Sequence, residues 1–547
     1  MNMVPKLSSR LKSAIVPMLI FISCMLIFSF NLNDVVSVDE ALFMNDVHKM
    51  LQNQTLYTEI KQIADPVNHW MLYMVFRFFG EKLIFARLTL AILFATISLL
   101  CYSFLRKFEA DKFSSAIISI WLSASQTPLF DWSHHQISTI LTTISLLLLL
   151  LNLTESNSKN GVFAFAGILA GFSCMSHILK GSIFTATIIC LLVLRFILDK
   201  KNRIIKFRQF GFFTLGIFIS LTITALIIKF SCGFQVFFDE TITKKIIYKK
   251  NSIFPWPYFQ TSLYEHTLSQ IFSSPKLTII WIQQEVQYIL VPLLLAITII
   301  NLAWGKVNNK ANESLILLAL GALSIMCGIM YMPVPIKMLT ILPPIIILAG
   351  LIGLCSNSIF IENHPFRENK ITKIVILLLA FCWIGKNLSS STLDYLKYSE
   401  TYSSQLGPVR IVDTDLIPPD FHVLQKNIAS LKTRDILCYP DNSWLYILLD
   451  LNNPIPYHAM YGSNHTSADA SLAINAMESK KVQYVIRKFK NINVLKSMEN
   501  YLNQNFSTRV NLGNNFVLQQ RKNSANPFPL WNETNNNSVR KTAILEN

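Results

Sequence analysis

Long apolar runs broken by short polar stretches dominate the chain as far as about residue 388. A helix rising about 1.5 Å per residue needs about 20 such residues to cross the hydrocarbon of a bilayer. About eleven segments fit that length, near 14–33, 83–105, 113–130, 137–154, 161–178, 181–198, 210–229, 286–304, 314–331, 338–356 and 371–388. The segment 113–130 is short and carries Ser and Gln, which points to the wall of a polar cavity. Between the first two spans, 34–82 forms a long outer loop. Its stretches 38–52 and 66–80 mix apolar and polar residues at helical spacing, the pattern of helices lying along a membrane surface. Beyond 389 the pattern changes. ILCYP (436–440) and VQYVIRKF (482–489) read as strands, and 443–451, 468–480 and 493–503 as helices. The expected architecture is an α-helical polytopic membrane protein, with a membrane domain over 1–388 and an extracytoplasmic α/β domain over 389–547. The Asn-rich last twenty or so residues read as disordered.

Composition agrees with that reading. Of 547 residues, 52% are hydrophobic and 15% charged, too apolar for a soluble domain of ordinary core size. The net charge of +16 does not mark a nucleic-acid binder, because Lys and Arg collect in loops between spans. Arg106, Lys107, Lys112, Lys200, Lys201, Arg203, Lys206, Arg208, Lys306, Lys310, Arg367, Lys370 and Lys373 all fall on one side if the N-terminus is cytoplasmic. The tail then lies outside. Lys6, Arg10 and Lys12 precede the first run, which is long for a signal peptide and lacks an A-x-A site, so it reads as a retained helix. Most of the nine Cys sit inside apolar runs, and neither a disulfide framework nor a zinc spacing is present.

Three groups could carry chemistry. Asp39 and Glu40 are adjacent acids just past the first span. A carboxylate there can take a proton from an attacking hydroxyl. Equally, an acidic pair can simply complement a helix N-terminus. His134 and His135 could bind metal or shuttle protons. Adjacent helical residues do not face the same way, however, so the pair reads as the lining of a cavity mouth and no metal is expected. Lysines on the outer side run against the basic-inside bias. They are Lys180, Lys337 and the cluster Lys244, Lys245, Lys249 and Lys250. They would either meet a lipid phosphate or anchor loops to headgroups.

The stretch 38–90 carries an ordered series: Asp39-Glu40, Leu56-Tyr57, Asp65-Pro66, His69-Trp70, Phe79-Gly80 and Ala86-Arg87-Leu88. It resembles the first outer loop of the GT-C superfamily of membrane glycosyltransferases. The nearest branch holds the protein O-mannosyltransferases, the aminoarabinose transferase of lipid A and the lipopolysaccharide-core transferases. TPLFDWSHHQ (127–136), AGFSCMSHILKGS (170–182) and IKMLTILPPIIILAG (336–350) extend the likeness over most of the chain. Two positions depart from the family pattern: Asn53 stands where Gly is usual, and Asp65 where a Lys often precedes the Pro.

The resemblance implies an inverting glycosyltransferase of a bacterial inner membrane. It would move a hexosyl or pentosyl group from a polyprenyl-phosphate carrier to a glycolipid, lipopolysaccharide or protein acceptor. Asp39 would be the base and Glu40 its positioning partner. The second acid would be Asp131, or His134 and His135 in its place. Lys337 and Lys180 would meet the donor phosphate, and Tyr57, His69, Trp70, His134 and His135 would line the cavity. Membrane lipid is the other partner, and no cofactor or nucleic acid is expected. The main alternative is a transporter or flippase of a lipid-linked sugar. It is disfavoured because no internal repeat is visible and the acids lie in an outer loop.

The charge segregation generates a topological prediction. Reporters fused after Ser404 should be active only when the reporter requires export, and cytoplasmic-reporter activity there would reverse the orientation.

Overall fold

A computed structural model describes residues 4–35, 38–153, 159–200, 202–246, 273–274, 309–329, 339–354, 370–398, 401–411, 421–440, 443–458, 460, 465–489, 495–513 and 516–522. Five described helices are long and apolar enough to span a membrane: α4 (Leu83–Lys107), α6 (His134–Leu153), α8 (Ile178–Leu198), α9 (Arg203–Ser231) and α13 (Lys370–Lys397). Shorter apolar stretches lie in α1 (Val4–Ser29), α5 (Lys112–Ala124), α7 (Asn160–Cys174), α11 (Asn309–Ile329) and α12 (Leu342–Leu354). They match the expected spans, except that 286–304 lies outside the described residues. The two loop stretches also form helices, α2 (Val38–Leu51) and α3 (Pro66–Phe79). Pro66 at the first position of α3 costs no hydrogen bond, because that amide has no helical partner anyway.

The chain divides into two compact units. The first comprises 1–417, 442–451 and 456–459. The division therefore falls later than residue 388, for two physical reasons. Helix α13 continues through Lys397, and the following hairpin, β2 (Thr401–Ser404) and β3 (Gly407–Ile411), pairs with the strand after the first span, β1 (Asp34–Val35). Strands β1 and β3 are parallel, with Asp34 opposite Arg410, while β2 runs antiparallel to β3. Arg410 Nε donates to the Asp34 carboxylate at 2.7 Å, and its guanidinium lies 4.3 Å from the Tyr395 ring centre. Burial pushes the Asp34 carboxyl up from its ordinary value, and Arg410 offsets part of that rise.

Within this unit α6 is interior and α13 peripheral: 83% of the apolar window of α6 is buried, against 11% for α13. The end of the expected polar segment, Thr127, Pro128 and Phe130, lines a pocket with Asn31, Asp34 and Arg87, while serines of α5 make helix contacts. Ser98 of α4 donates to the Ser119 carbonyl at 2.6 Å and bonds Ser123 Oγ at 2.7 Å. They join α4 to α5, the role small polar residues take where helices meet in lipid. Helices α7 and α9 approach closely. A Cβ on Gly167 would stand 2.0 Å from the Phe213 carbonyl oxygen, and one on Gly216 2.0 Å from that of Ala164. After α9 come a short helix, α10 (Phe234–Phe237), and a π-helical turn over Phe238–Thr243. Helix α15 (Ser443–Leu448) also belongs to this unit and packs on α2.

The second unit holds a four-stranded sheet in the order β4 (Ile436–Tyr439), β5 (Tyr484–Lys488), β7 (Phe516–Arg521), β6 (Phe506–Asn511). Strands β4 and β5 are parallel, and β7 is antiparallel to both its neighbours. Its helices are α14 (Phe421–Ala429), α16 (Ser467–Ser479) and α17 (Lys496–Asn505). A reciprocal cap between Thr466 and Asp469 starts α16. The two sequence-predicted strands are present and buried. Strands β6 and β7 escaped notice because FSTRVN and FVLQQR carry too many polar residues to alternate cleanly.

The α7–α9 crossing leads to a stability prediction. Gly216→Leu should abolish the close approach and lower the yield and melting temperature of detergent-solubilised protein. Gly211→Leu, where a Cβ meets nothing within 4 Å, should be tolerated. Equal melting curves for the two variants would show that the crossing does not limit stability.

Candidate active site

The segment that carries Asp39 is fixed by one buried ion pair. Glu40 and Arg87 are both fully buried and make a two-pronged contact, with Arg87 Nε at 2.8 Å from Glu40 Oε1 and Nη2 on Oε2. Arg87 also donates to the Asn31 carbonyl at 2.5 Å and the Asp34 carbonyl at 2.9 Å. Glu40 Oε1 further accepts the amide of Trp132 at 3.1 Å. The bonds tie α2 to α4, to the end of the first span and to the 127–133 loop. Glu40 therefore acts on position. Asp39, one residue earlier, is half-buried, and among the described residues its carboxylate has no hydrogen bond or ion pair. Asp131 is buried close enough to Arg87 to add to the negative field around it.

A second cluster surrounds Asp46, about two helical turns beyond on α2. Its Oδ2 accepts from Gln62 Nε2 and pairs with His69 Nε2, each at 2.9 Å. Its Oδ1 lies 3.2 Å from Nδ1 of His458, whose Nε2 is 3.0 Å from Gln62 Nε2. Burial would push the Asp46 carboxyl up. The charge of His458 and the hydrogen bonds from His69 and Gln62 outweigh burial and hold it below the ordinary value. His69 is thus occupied in holding Asp46. No sequence signal links Asp46 to His458, since the loop that brings them together closes across most of the chain.

Tyr57 and Trp70 join a different group, an apolar cluster with Leu56, Ile60, Ile228 and Phe237. Tyr57 sits at φ +70°, unusual for a bulky residue. Its hydroxyl donates to the Ala64 carbonyl at 2.7 Å. Burial, reinforced by the Asp65 carboxylate, pushes that hydroxyl well above its ordinary value, so it remains a neutral donor. Asn53, where the family pattern has Gly, sits at φ +66°, a conformation Asn tolerates better than most side chains.

Asp65 supplies a structural link. It precedes α3, its Oδ2 accepts the Ile178 amide at 3.0 Å, and its Oδ1 pairs with Lys245 at 2.5 Å. Buried Glu240 similarly bridges Lys61 at 3.0 Å and Lys244 at 2.6 Å. Lys244 and Lys245 are thus committed to ion pairs within the protein, while Lys249, Lys250 and Lys337 lie outside the described residues. Lys180 is fully buried. Its Nζ donates to the His135 carbonyl at 2.9 Å and to Thr139 Oγ1 at 2.6 Å, joining α8 to α6. That geometry makes Lys180 a helix-to-helix fastener.

His134 and His135 do converge, contrary to the adjacency argument. They open α6 at its first two positions. Their ring centres are 4.1 Å apart, and His177, before α8, lies 5.2 and 4.9 Å from them. The Phe43 ring lies between His69, at 4.7 Å, and His134, at 6.1 Å.

The Asp46 cluster generates a pH prediction. A carboxyl held below its unfolded value stabilises fully above about pH 3.9, and that stability fades as pH falls through the folded value. Asp46→Asn should therefore destabilise the protein near pH 7 by about 3 kcal/mol, the scale for removing one partner of a buried pair. The gap between the two melting curves should hold down to about pH 4 and close only as pH falls below it. A gap that widened on acidification would contradict the assigned direction.

No family model matches the chain, and no curated protein matches it. Solved structures do. The crystal structure of ArnT from Cupriavidus metallidurans bound to undecaprenyl phosphate aligns with a TM-score of 0.58 at 11% identity, over 93% of this chain and 99% of ArnT. The apo form of the same protein aligns with a TM-score of 0.50 at 12% identity, over 94% and 98%. This whole-chain likeness in three dimensions gives the chain the fold of ArnT, a fold of the GT-C membrane glycosyltransferase type.

Proposed function

We propose that the chain is a glycosyltransferase that moves a sugar from a polyprenyl-phosphate carrier to an acceptor hydroxyl on the outer face of a bacterial inner membrane. The observation that carries this reading is the division of labour in the acid pair. Glu40 is saturated by Arg87 and the Trp132 amide, while Asp39 keeps its oxygens for a ligand. A general base needs that combination of a rigid mount and an uncommitted oxygen.

In this mechanism Asp39 takes the proton of the acceptor hydroxyl as its oxygen attacks the anomeric carbon. The bond to the polyprenyl phosphate oxygen breaks on the opposite face, so the configuration inverts. The phosphate leaves as a stable anion. Lys337 is the cation proposed to meet it, on the resemblance of 336–350 to a family span that begins with a basic residue; Lys180, Lys244 and Lys245 have partners inside the protein. Asp131 adds negative charge beside Arg87 and so helps hold the acid segment in place. The undecaprenyl phosphate bound by ArnT supports a carrier of that chemical class here. The acceptor is proposed to be a glycolipid, lipopolysaccharide or protein, with the N-terminus cytoplasmic and the tail extracytoplasmic.

Membranes containing the protein should transfer radiolabelled sugar from polyprenyl phosphate to lipid or protein, and membranes lacking it should not. Asp39→Asn keeps the shape and cannot accept the proton, so turnover should fall at least about a hundredfold. Label that moves across the bilayer without any new glycosidic bond would instead identify a flippase.

A further inference from the structure

Three imidazoles from two segments distant in sequence meet at one point. His134 and His135 open α6, and His177 caps α8. One nitrogen from each can be chosen so that all lie within 4.8 Å of one another, and His135 and His177 are buried. We propose that His134, His135 and His177 form a site for a divalent transition ion of the zinc class, with a fourth coordination position left for water or an anionic oxygen.

Ligand chemistry favours this class. Imidazole nitrogens suit Zn²⁺ and its neighbours, whereas Mg²⁺ and Ca²⁺ take oxygen. Three protein ligands with one open position is the arrangement of zinc sites that bind a further ligand. At zinc–nitrogen distances of about 2.0–2.1 Å, tetrahedral nitrogens stand about 3.4 Å apart. The three rings must therefore draw together on loading.

The contraction has an identifiable local cost. His177 Nδ1 accepts the Lys180 amide at 3.3 Å, a long bond that caps α8. Binding through either nitrogen of His177 gives up that bond, because the nitrogen opposite the metal must carry a proton. The α8 terminus stays held by Asp65, which accepts the next free amide, that of Ile178. Charge is the other constraint. When protonated, Lys180 Nζ, on the His135 carbonyl and Thr139 Oγ1, opposes an added dication. The inference rests on the placement of these rings and stands independently of the transferase reading.

Co²⁺ and Zn²⁺ are the probes. Chelator-stripped full-length protein in detergent, carrying no polyhistidine tag, should take up about one equivalent of Co²⁺ with the visible spectrum of a four-coordinate nitrogen site, and Zn²⁺ should displace it. His134→Asn, at a half-buried position, and His177→Gln should each abolish the spectrum and weaken Zn²⁺ binding at least about a hundredfold while keeping the melting curve of stripped wild type. The wild-type spectrum needs no substitution, so it decides the question even if a variant misfolds. Absence of stoichiometric Co²⁺ uptake by wild type would overturn the proposal. So would uptake that persists in both folded variants.

Discussion

Burying a guanidinium and a carboxylate in a membrane protein is tolerable only if each hydrogen-bonding direction is filled. Arg87 and Glu40 come close to meeting that demand with each other, with the carbonyls of Asn31 and Asp34 and with the amide of Trp132. Those partners lie on the end of the first span, on β1 and in the 127–133 loop. The pair therefore sets the position of every segment around Asp39. Arg410 extends the fastening by holding Asp34, so β3, from far along the chain, belongs to the same framework.

Around that framework the loop side of the first unit that carries α2 and α3 is held by charge as well as by apolar packing. Asp46 keeps two histidines, Asp65 keeps a helix terminus and a lysine, and Glu240 keeps two lysines. Such pairs carry little net stabilisation compared with apolar replacements, but they specify geometry, since breaking one leaves a buried charge. The proposed orienting of a hydroxyl, a sugar and a phosphate would gain from that rigidity.

Much of this was legible in the sequence. Ten of the spans, the two loop helices and the paired strands β4 and β5 follow from period and length, because burial in lipid or in a sheet core imposes those patterns directly. The acid pair was visible, and so was the series around it. What sequence could not supply was the partner of each charge. Nothing in HILKGS distinguishes a lysine aimed at lipid phosphate from one bonded to His135 and Thr139. The convergence of His177 on His134 and His135 depends on how α6 and α8 pack, and the meeting of His458 with Asp46 on a contact between distant segments. The serines of α5 serve as helix contacts, since cavity walls and helix contacts draw on the same residue types.

The central claim is that the two adjacent acids have opposite duties, Glu40 structural and Asp39 chemical. Thermal unfolding of Asp39→Asn and Glu40→Gln, measured side by side in detergent, tests it most directly. Glu40→Gln leaves the Arg87 charge uncompensated in a fully buried setting and should lower stability by about 3 kcal/mol or more. Asp39→Asn should melt with the unsubstituted protein. A Glu40→Gln protein as stable as wild type, or an Asp39→Asn protein that unfolds early, would contradict the account.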